Sequence, residues 1–435
     1  MTGRKKAGII LLVISGVIVI FLLLSGSNIV DLAPVVVETP IALPVDPNAD
    51  IGPQRPLVNP PSPIKAIYAT NWSASSEKKI KYFLDLLETT ELNAIVLDIK
   101  DYTGVVGYEA DVPAVKEYRA FEKRIPKINA LIKRFHDAGV YVIGRIAVFQ
   151  DDALVKARPD LAIKSEKTGE VWGDKKNVHW LDTAATPVWD YNIDIAREAL
   201  SRGFDEINFD YIRFASDGSV DDISYPFYNE AIPKRQVLSQ FFNHVRNQLP
   251  YARLSADIFG EAVVNGNQTG IGQSFEDTLQ PFDYVAAMIY PSHYNPKFLG
   301  LTNAAANPYA VIRYSMDTAF KRSGEYQKKL LAAQTSSSTS QMPSLAQQRP
   351  WLQDFNLGAT YDAEKVRAQI TAVDDSARAA AGCPDIKMTD KNYQVAIEPI
   401  APRAACDYQQ MGWMLWNASN VYTKAALLPE ATAVR

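Results

Sequence analysis

The chain has 435 residues, 47% of them apolar and 22% charged, a composition that excludes a disordered or fibrous protein. Lys+Arg at 45 against Asp+Glu at 49 gives a net charge of −4, with no basic excess to neutralise a phosphate backbone, so nucleic acid is not expected as a partner. Two cysteines and four scattered histidines (His136, His179, His244 and His293) make neither a disulfide scaffold nor a zinc-ligand spacing, so neither metal nor cofactor is expected.

The chain opens with Arg4, Lys5 and Lys6, then an uncharged stretch from Ala7 to Val30. Its roughly 18-residue apolar core approaches the ~20 needed to span hydrocarbon and exceeds the ~7–15 of a signal-peptide core. Residues 1–30 therefore read as a membrane anchor, and the leading cations place the rest of the chain outside the cytoplasm. Ser25-Gly26-Ser27 keeps open the alternative of a cleaved signal and a secreted protein. Three cations ahead of an all-round apolar helix argue against a buried core helix. Residues 31–63 hold about nine prolines, which block helices and ladders, so an extended spacer is expected.

From Ile64 onward, β-branched apolar runs alternate with segments of helical period. The strands are expected at 64–70, 93–100, 140–149, 204–214, 252–260, 284–290, 350–355 and 412–419, with a weak ninth in LLAAQ after a helix over 308–322. Helices are expected after Ser75 or Ser76, around 127–138, 187–202 and 233–249, at 274–279 and over 362–373. Eight strands with crossovers and no internal linker predict a (β/α)8 TIM barrel over 64–425, with a doubly wound open sheet as the alternative. Thr335–Gln348 and Ala380–Gln409 read as insertions. The second holds Cys383 and Cys406, which pair if the barrel lies in an oxidising compartment and are otherwise free thiols.

In a barrel the chemistry sits at the C-terminal ends of the strands, and residues of one parity face the axis. In FDEINFDYIRF, Ile207, Phe209 and Tyr211 share the helix-facing side, so Glu206, Asn208 and Asp210 point inward, with Arg213 just beyond. An Asp210–Arg213 pair that only orders the loop is the bland reading. The same parity places Asp98 and Lys100 together on the second strand, where a structural salt bridge is the bland reading. It also turns Arg145 inward on the third strand and Asp257 inward on the fifth, with Glu261 four residues later. The sixth strand offers Tyr290 and then His293; the seventh Trp351, Gln353 and Asp354; the eighth Trp416 and Asn417. A hydrogen-bonded structural histidine is the bland reading of His293. Two acids across a mouth suit glycoside cleavage, which needs one protonated carboxyl and one ionised carboxylate. Trp and Tyr supply flat surfaces for sugar rings.

The blocks ATNWSAS (69–75), IVLDIKDYTGVVGY (95–108), GRIAVFQDD (144–152), INFDYIRFASDG (207–218), LSADIFGE (254–261), GIGQSFED (270–277), MIYPSHY (288–294), NPYAVI (307–312), RPWLQDF (349–355) and GWMLWNASNVY (412–422) occur in this order. Together they resemble the family known as the putative glycoside hydrolase domain, a (β/α)8 barrel distantly similar to the α-amylase clan. The resemblance implies that Asp210 is the strand-four nucleophile and that the strand-five acid is Asp257 or Glu261. Parity favours Asp257. The parity reading adds a polysaccharide substrate, with Asp98, Lys100, Arg145, Asn208, Arg213, Tyr290, His293, Trp351, Gln353 and Trp416 expected to line the site. The amylase-type arginine two residues before the nucleophile is replaced here by Asn208. A non-catalytic glycan-binding barrel is the main competing reading, and a deacetylase or other metal hydrolase a third.

Overall fold

The computed structural model describes residues 49–266, 270–333, 344–384, 393 and 406–429. The expected anchor (1–30) and the first part of the expected spacer lie outside these residues. Among the described residues no helix is long and apolar enough to cross a membrane.

Eight parallel strands close into a barrel: β1 (Lys65–Ala69), β2 (Ala94–Lys100), β3 (Tyr141–Ala147), β4 (Glu206–Asp210), β5 (Leu254–Phe259), β6 (Tyr284–Met288), β7 (Trp351–Gln353) and β8 (Trp413–Trp416). Each pairs with its sequence neighbour, β8 pairs with β1, and the ring is complete where Trp351 meets Met288 on one side and Met414 on the other. Closure rules out the open sheet. The crossovers carry α1 (Glu77–Thr89), α2 (Ile128–Asp137), α3 (Thr186–Arg202), α4 (Lys234–Gln248), α5 (Phe275–Thr278), α6 (Pro308–Ala333) and α7 (Ala363–Ala380).

Helix faces follow the apolar period. The face of α1 buries Ile80, Phe83, Leu86 and Leu87, and that of α2 buries Ile128, Leu131, Ile132 and Phe135. They meet the outward parity of the strands, including Ile95, Leu97, Ile207, Phe209, Ala256 and Ile258, in one continuous core. The inward parity forms a second, smaller core of Ala66, Tyr68, Ala94, Val96, Tyr141, Ile143, Trp351 and Met414.

Four expectations need correction. LLAAQ is not a strand: its first four residues continue α6, which runs on to Ala333. The fourth strand ends at Asp210 rather than 214, because Tyr211 takes a left-handed backbone (φ 54°) that breaks the ladder. The seventh strand comes in two pieces. Gln347–Gln348, expected to be loop, pairs with β6, and Pro350, which has no N–H to donate, separates it from β7.

The fourth correction concerns the spacer. From Asp50 it is fastened to the barrel rather than extended in solvent. Both Asp50 carboxylate oxygens accept from the first turn of α2, at Asn129 N (2.7 Å) and Ala130 N (3.0 Å). Gln54 N donates to Arg202 O at the end of α3, Leu57 N to Asp205, and Asn93 Nδ2 to Pro63 O. Gly203, at φ 107°, ends α3 where a Cβ would strike the Gln54 carbonyl, so the close approach of this strap requires glycine.

Cys383 and Cys406 form a disulfide with Cα atoms 5.7 Å apart, tying the end of α7 to the approach to β8.

Candidate active site

The mouth is built on strands β2 to β5. Arg145 on β3 lies opposite Asn208 in the β3–β4 ladder and opposite Asp98 in the β2–β3 ladder. That register aims one guanidinium at two acids. Nη1 donates to Asp98 Oδ1 at 2.6 Å, while Nη2 and Nε both donate to Asp210 Oδ2, at 2.5 and 3.1 Å. Asp210 Oδ1 accepts from Tyr211 N at 2.6 Å, next to the left-handed backbone at Tyr211. Both oxygens of Asp210 are thus held in place, and Arg145, not Arg213, is its partner. The cation lost at the position of Asn208 is supplied from the neighbouring strand.

Asp257 occupies the same layer from β5. Its Oδ1 accepts from Asn208 Nδ2 and from Trp351 Nε1, both at 2.8 Å. Among the described residues no cation hydrogen-bonds to it, and Arg145 acts on it only through its charge. Burial first, and the Asp210 charge second, push its carboxyl well above the usual carboxylate range, favouring its protonated form. Asp98, pushed up by burial, is opposed by Arg145 and by the Tyr68 hydroxyl, which donates to Oδ2 at 2.5 Å. Burial works against the Arg145 charge, but Asp98 and Asp210 outweigh it and raise its pKa. Tyr290 is buried, and burial together with Asp257 and Asp210 keeps its hydroxyl neutral.

An aromatic wall flanks the acids. Trp416 is half-buried and stacks on Tyr68 with centroids 3.9 Å apart and planes 16° from parallel, and the Arg145 guanidinium lies 5.2 Å from its ring centre. Trp351 is fully buried at right angles to both.

The structure thus brings Asp98, Arg145, Asn208, Asp210, Asp257, Trp351, Trp416 and Tyr290 together, leaves His293 at their edge, and gives the remaining candidates other surroundings. A register shift between Asp98 and Lys100 turns Lys100 away from the axis. It pairs with Asp151 at 2.5 Å and lies 5.4 Å from the Tyr191 ring of α3. Arg213 is buried against Trp180 and Phe259, donating to Phe214 O and Ser216 Oγ, and so orders the loop after β4. Gln353 accepts from Ser292 N and donates to Phe355 O, a strut between the loops after β6 and β7. His293 is exposed with its ring beside Tyr290 and Phe355. Glu261 is exposed on the short helix Gly260–Val264. Sequence reasoning missed Tyr68 and Tyr211. Tyr68 shares the inward parity of Ala66, so its signal was present; nothing in the sequence marks the left-handed turn at Tyr211.

A closed parallel barrel with one carboxylate paired to a cation and a second carboxyl pushed up by burial at its mouth has the parts that glycoside cleavage uses. Residues 66–380 match the sequence profile of the family described as "Putative glycosyl hydrolase domain", and the chain belongs to that family. No curated protein matches it. Among solved structures, a hypothetical protein from Ruminiclostridium thermocellum is 41% identical over 44% of this chain and 96% of its own, with a TM-score of 0.41. An α-galactosidase from Thermus thermophilus is 13% identical over 73% of this chain and 57% of its own (TM-score 0.42). The glycoside hydrolase domain of PelA from Pseudomonas aeruginosa is 12% identical over 72% and 90% (TM-score 0.37).

Proposed function

We propose that the protein hydrolyses glycosidic bonds of an envelope or extracellular polysaccharide, with Asp257 as proton donor and Asp210 as nucleophile or water-activating base. The observation that carries this is the unequal treatment of two neighbouring carboxyls. Asp210 takes two Arg145 N–H groups on Oδ2 and a backbone N–H on Oδ1, whereas Asp257 has two neutral donors and its carboxyl is pushed up by burial and by Asp210. The donor protonates the leaving oxygen, Asp210 meets the anomeric carbon or its attacking water, and the Trp416–Tyr68 stack offers an apolar surface to a ring. The N-terminal cations and apolar run, together with the disulfide, support a membrane-anchored barrel outside the cytoplasm. Protease added to intact cells stripped of outer layers should then digest it, and complete protection would place it inside.

The chemical test is release of reducing ends from envelope polysaccharides by the full chain. Asp257→Asn should abolish it while sparing more of the activity on aryl glycosides with good leaving groups, which need little protonation. If Glu261→Gln shows that dependence instead, Glu261 is the donor. One observation favours a second reading, a glycan-binding barrel: Asp257 is only 1% exposed. On that reading no polysaccharide is cut, and binding survives both Asp210→Asn and Asp257→Asn.

A further inference from the structure

The loops after β1 and β2 carry two exposed aromatic rings beside the mouth, Trp72 (61% exposed) and Tyr102 (49%). Single exposed apolar residues are ordinary on protein surfaces. The support beneath Trp72 is not. Arg124 lies under the indole with its guanidinium carbon 4.5 Å from the ring centre. Three of its five N–H groups have internal partners: Nη1 bonds Asn71 Oδ1 (3.0 Å) and Asp101 Oδ2 (2.5 Å), and Nε bonds Glu122 Oε2 (2.9 Å). Asp101 is fixed in turn by Thr103, which donates through its backbone N and its hydroxyl. Arg124 therefore ties the loop bearing Trp72 to the loop bearing Tyr102.

The backbone around this brace is stiff. Gly107 lies against Asn71 where a Cβ would come within 2.7 Å of the Asn71 Cβ, so the short helix Asn71–Ala74 closes directly onto the excursion after β2. That excursion is cross-linked by Val106 N to Ala120 O, Glu122 N to Val106 O and Ile125 N to Gly107 O. One face of the indole is covered by a cation, and the exposure of the residue leaves the other open. A cation beneath an aromatic ring and a rigid mount hold the ring in one orientation before anything binds.

We propose that Trp72, braced by Arg124 and flanked by Tyr102, is a stacking subsite for a pyranose ring of a neutral glycan chain, separate from the acid pair. Arg124 lies against one face of the indole and is ion-paired with Asp101 and Glu122, so the open face is a flat apolar surface rather than a charge. This rests on the glycan reading above and extends it: the ligand is a polymer long enough to reach from the barrel mouth to the rim loops.

The test is native affinity electrophoresis of the full chain carrying Asp210→Asn, in gels cast with glycol chitin, soluble starch or galactomannan. The catalytic substitution keeps the polymer intact during the run. At least one polymer should retard the protein. Adding Trp72→Ala should weaken that affinity about three- to tenfold, and Trp72→Phe should restore most of it. Because Trp72 is exposed, neither change should move the thermal midpoint. Migration unaffected by all three polymers, or equal retardation of the parent and Trp72→Ala, overturns the subsite, as does Trp72→Phe behaving like Trp72→Ala. Trp72-dependent retardation by a polymer that the wild-type chain does not cut leaves the subsite standing and counts against hydrolysis. Cutting without Trp72 dependence does the reverse.

Discussion

At the closed end of the barrel Glu206 faces Arg349, one acid to one base, both fully buried. Ser255 Oγ donates to Glu206, and the Tyr284 ring lies 4.0 Å from the Arg349 guanidinium. At the mouth, two and more residues further along the same strands, one guanidinium faces three acids, Asp98, Asp210 and Asp257. The lower cluster pairs one acid with one base, whereas the upper one sets three carboxyls around one cation. Burial raises the cost of charge in both places, but only in the unbalanced cluster does it push a carboxyl upward beside a charged neighbour. On the proposed mechanism, the balanced pair fastens the barrel and the unbalanced one supplies the acid.

The contrast can be broken from either side. The largest effect is expected at the mouth: Asp210→Asn should reduce polysaccharide turnover about 10⁴-fold or more, ~5.5 kcal/mol on the barrier, in steady-state assays. Folding should survive, since the amide keeps the shape. Next is the closed end, where Arg349→Met strands a buried Glu206 and should cost about 3–5 kcal/mol in urea denaturation. Adding Glu206→Gln should recover most of that loss; a double variant as unstable as the single one would contradict the balanced-pair reading. Reduction of Cys383–Cys406, whose bond spans 23 positions, should cost about 3 kcal/mol in the chain-entropy model while leaving the pH profile of turnover in place.

The smallest effect sharpens the comparison through pH. The folded chain keeps a proton on Asp257 that the unfolded chain releases near pH ~4. The stability this gives is complete below that pH and is lost as pH rises toward the elevated folded value. Asp257→Asn should flatten that decline, so the variant's melting midpoint gains on the wild type with rising pH. Parallel midpoint-versus-pH curves would sink the protonated-donor assignment.

Where strands run regularly, the site was legible. Alternation alone placed Glu206, Asn208 and Asp210 on one face of β4 and Ser255 and Asp257 on one face of β5, because a period of two leaves no other choice. It failed where the period breaks. Lys100 left the site through a register shift that no residue type signals, and Tyr211 left the strand through a left-handed turn. Trp351 reads as a sugar platform by composition, yet its indole N–H donates from a fully buried position. Such a ring sits inside or at the rim according to where the axis runs, which strand pattern does not specify. The proline-rich segment misled for a related reason. Prolines exclude helix and ladder, but they do not prevent docking through flanking groups such as Asp50 and Gln54.

That docked strap has a mechanical consequence. Tension arriving along the chain from its N-terminal side meets the barrel first at Asp50, on the first turn of α2, and then at Gln54, on the last carbonyl of α3. Load is passed to two helix ends before it reaches β1, the strand whose detachment would unzip the ring between β8 and β2. The strap works as a strain relief, as on a cable: a pull is taken up at the outer layer, and the register that aims Arg145 at its two carboxylates is left undisturbed.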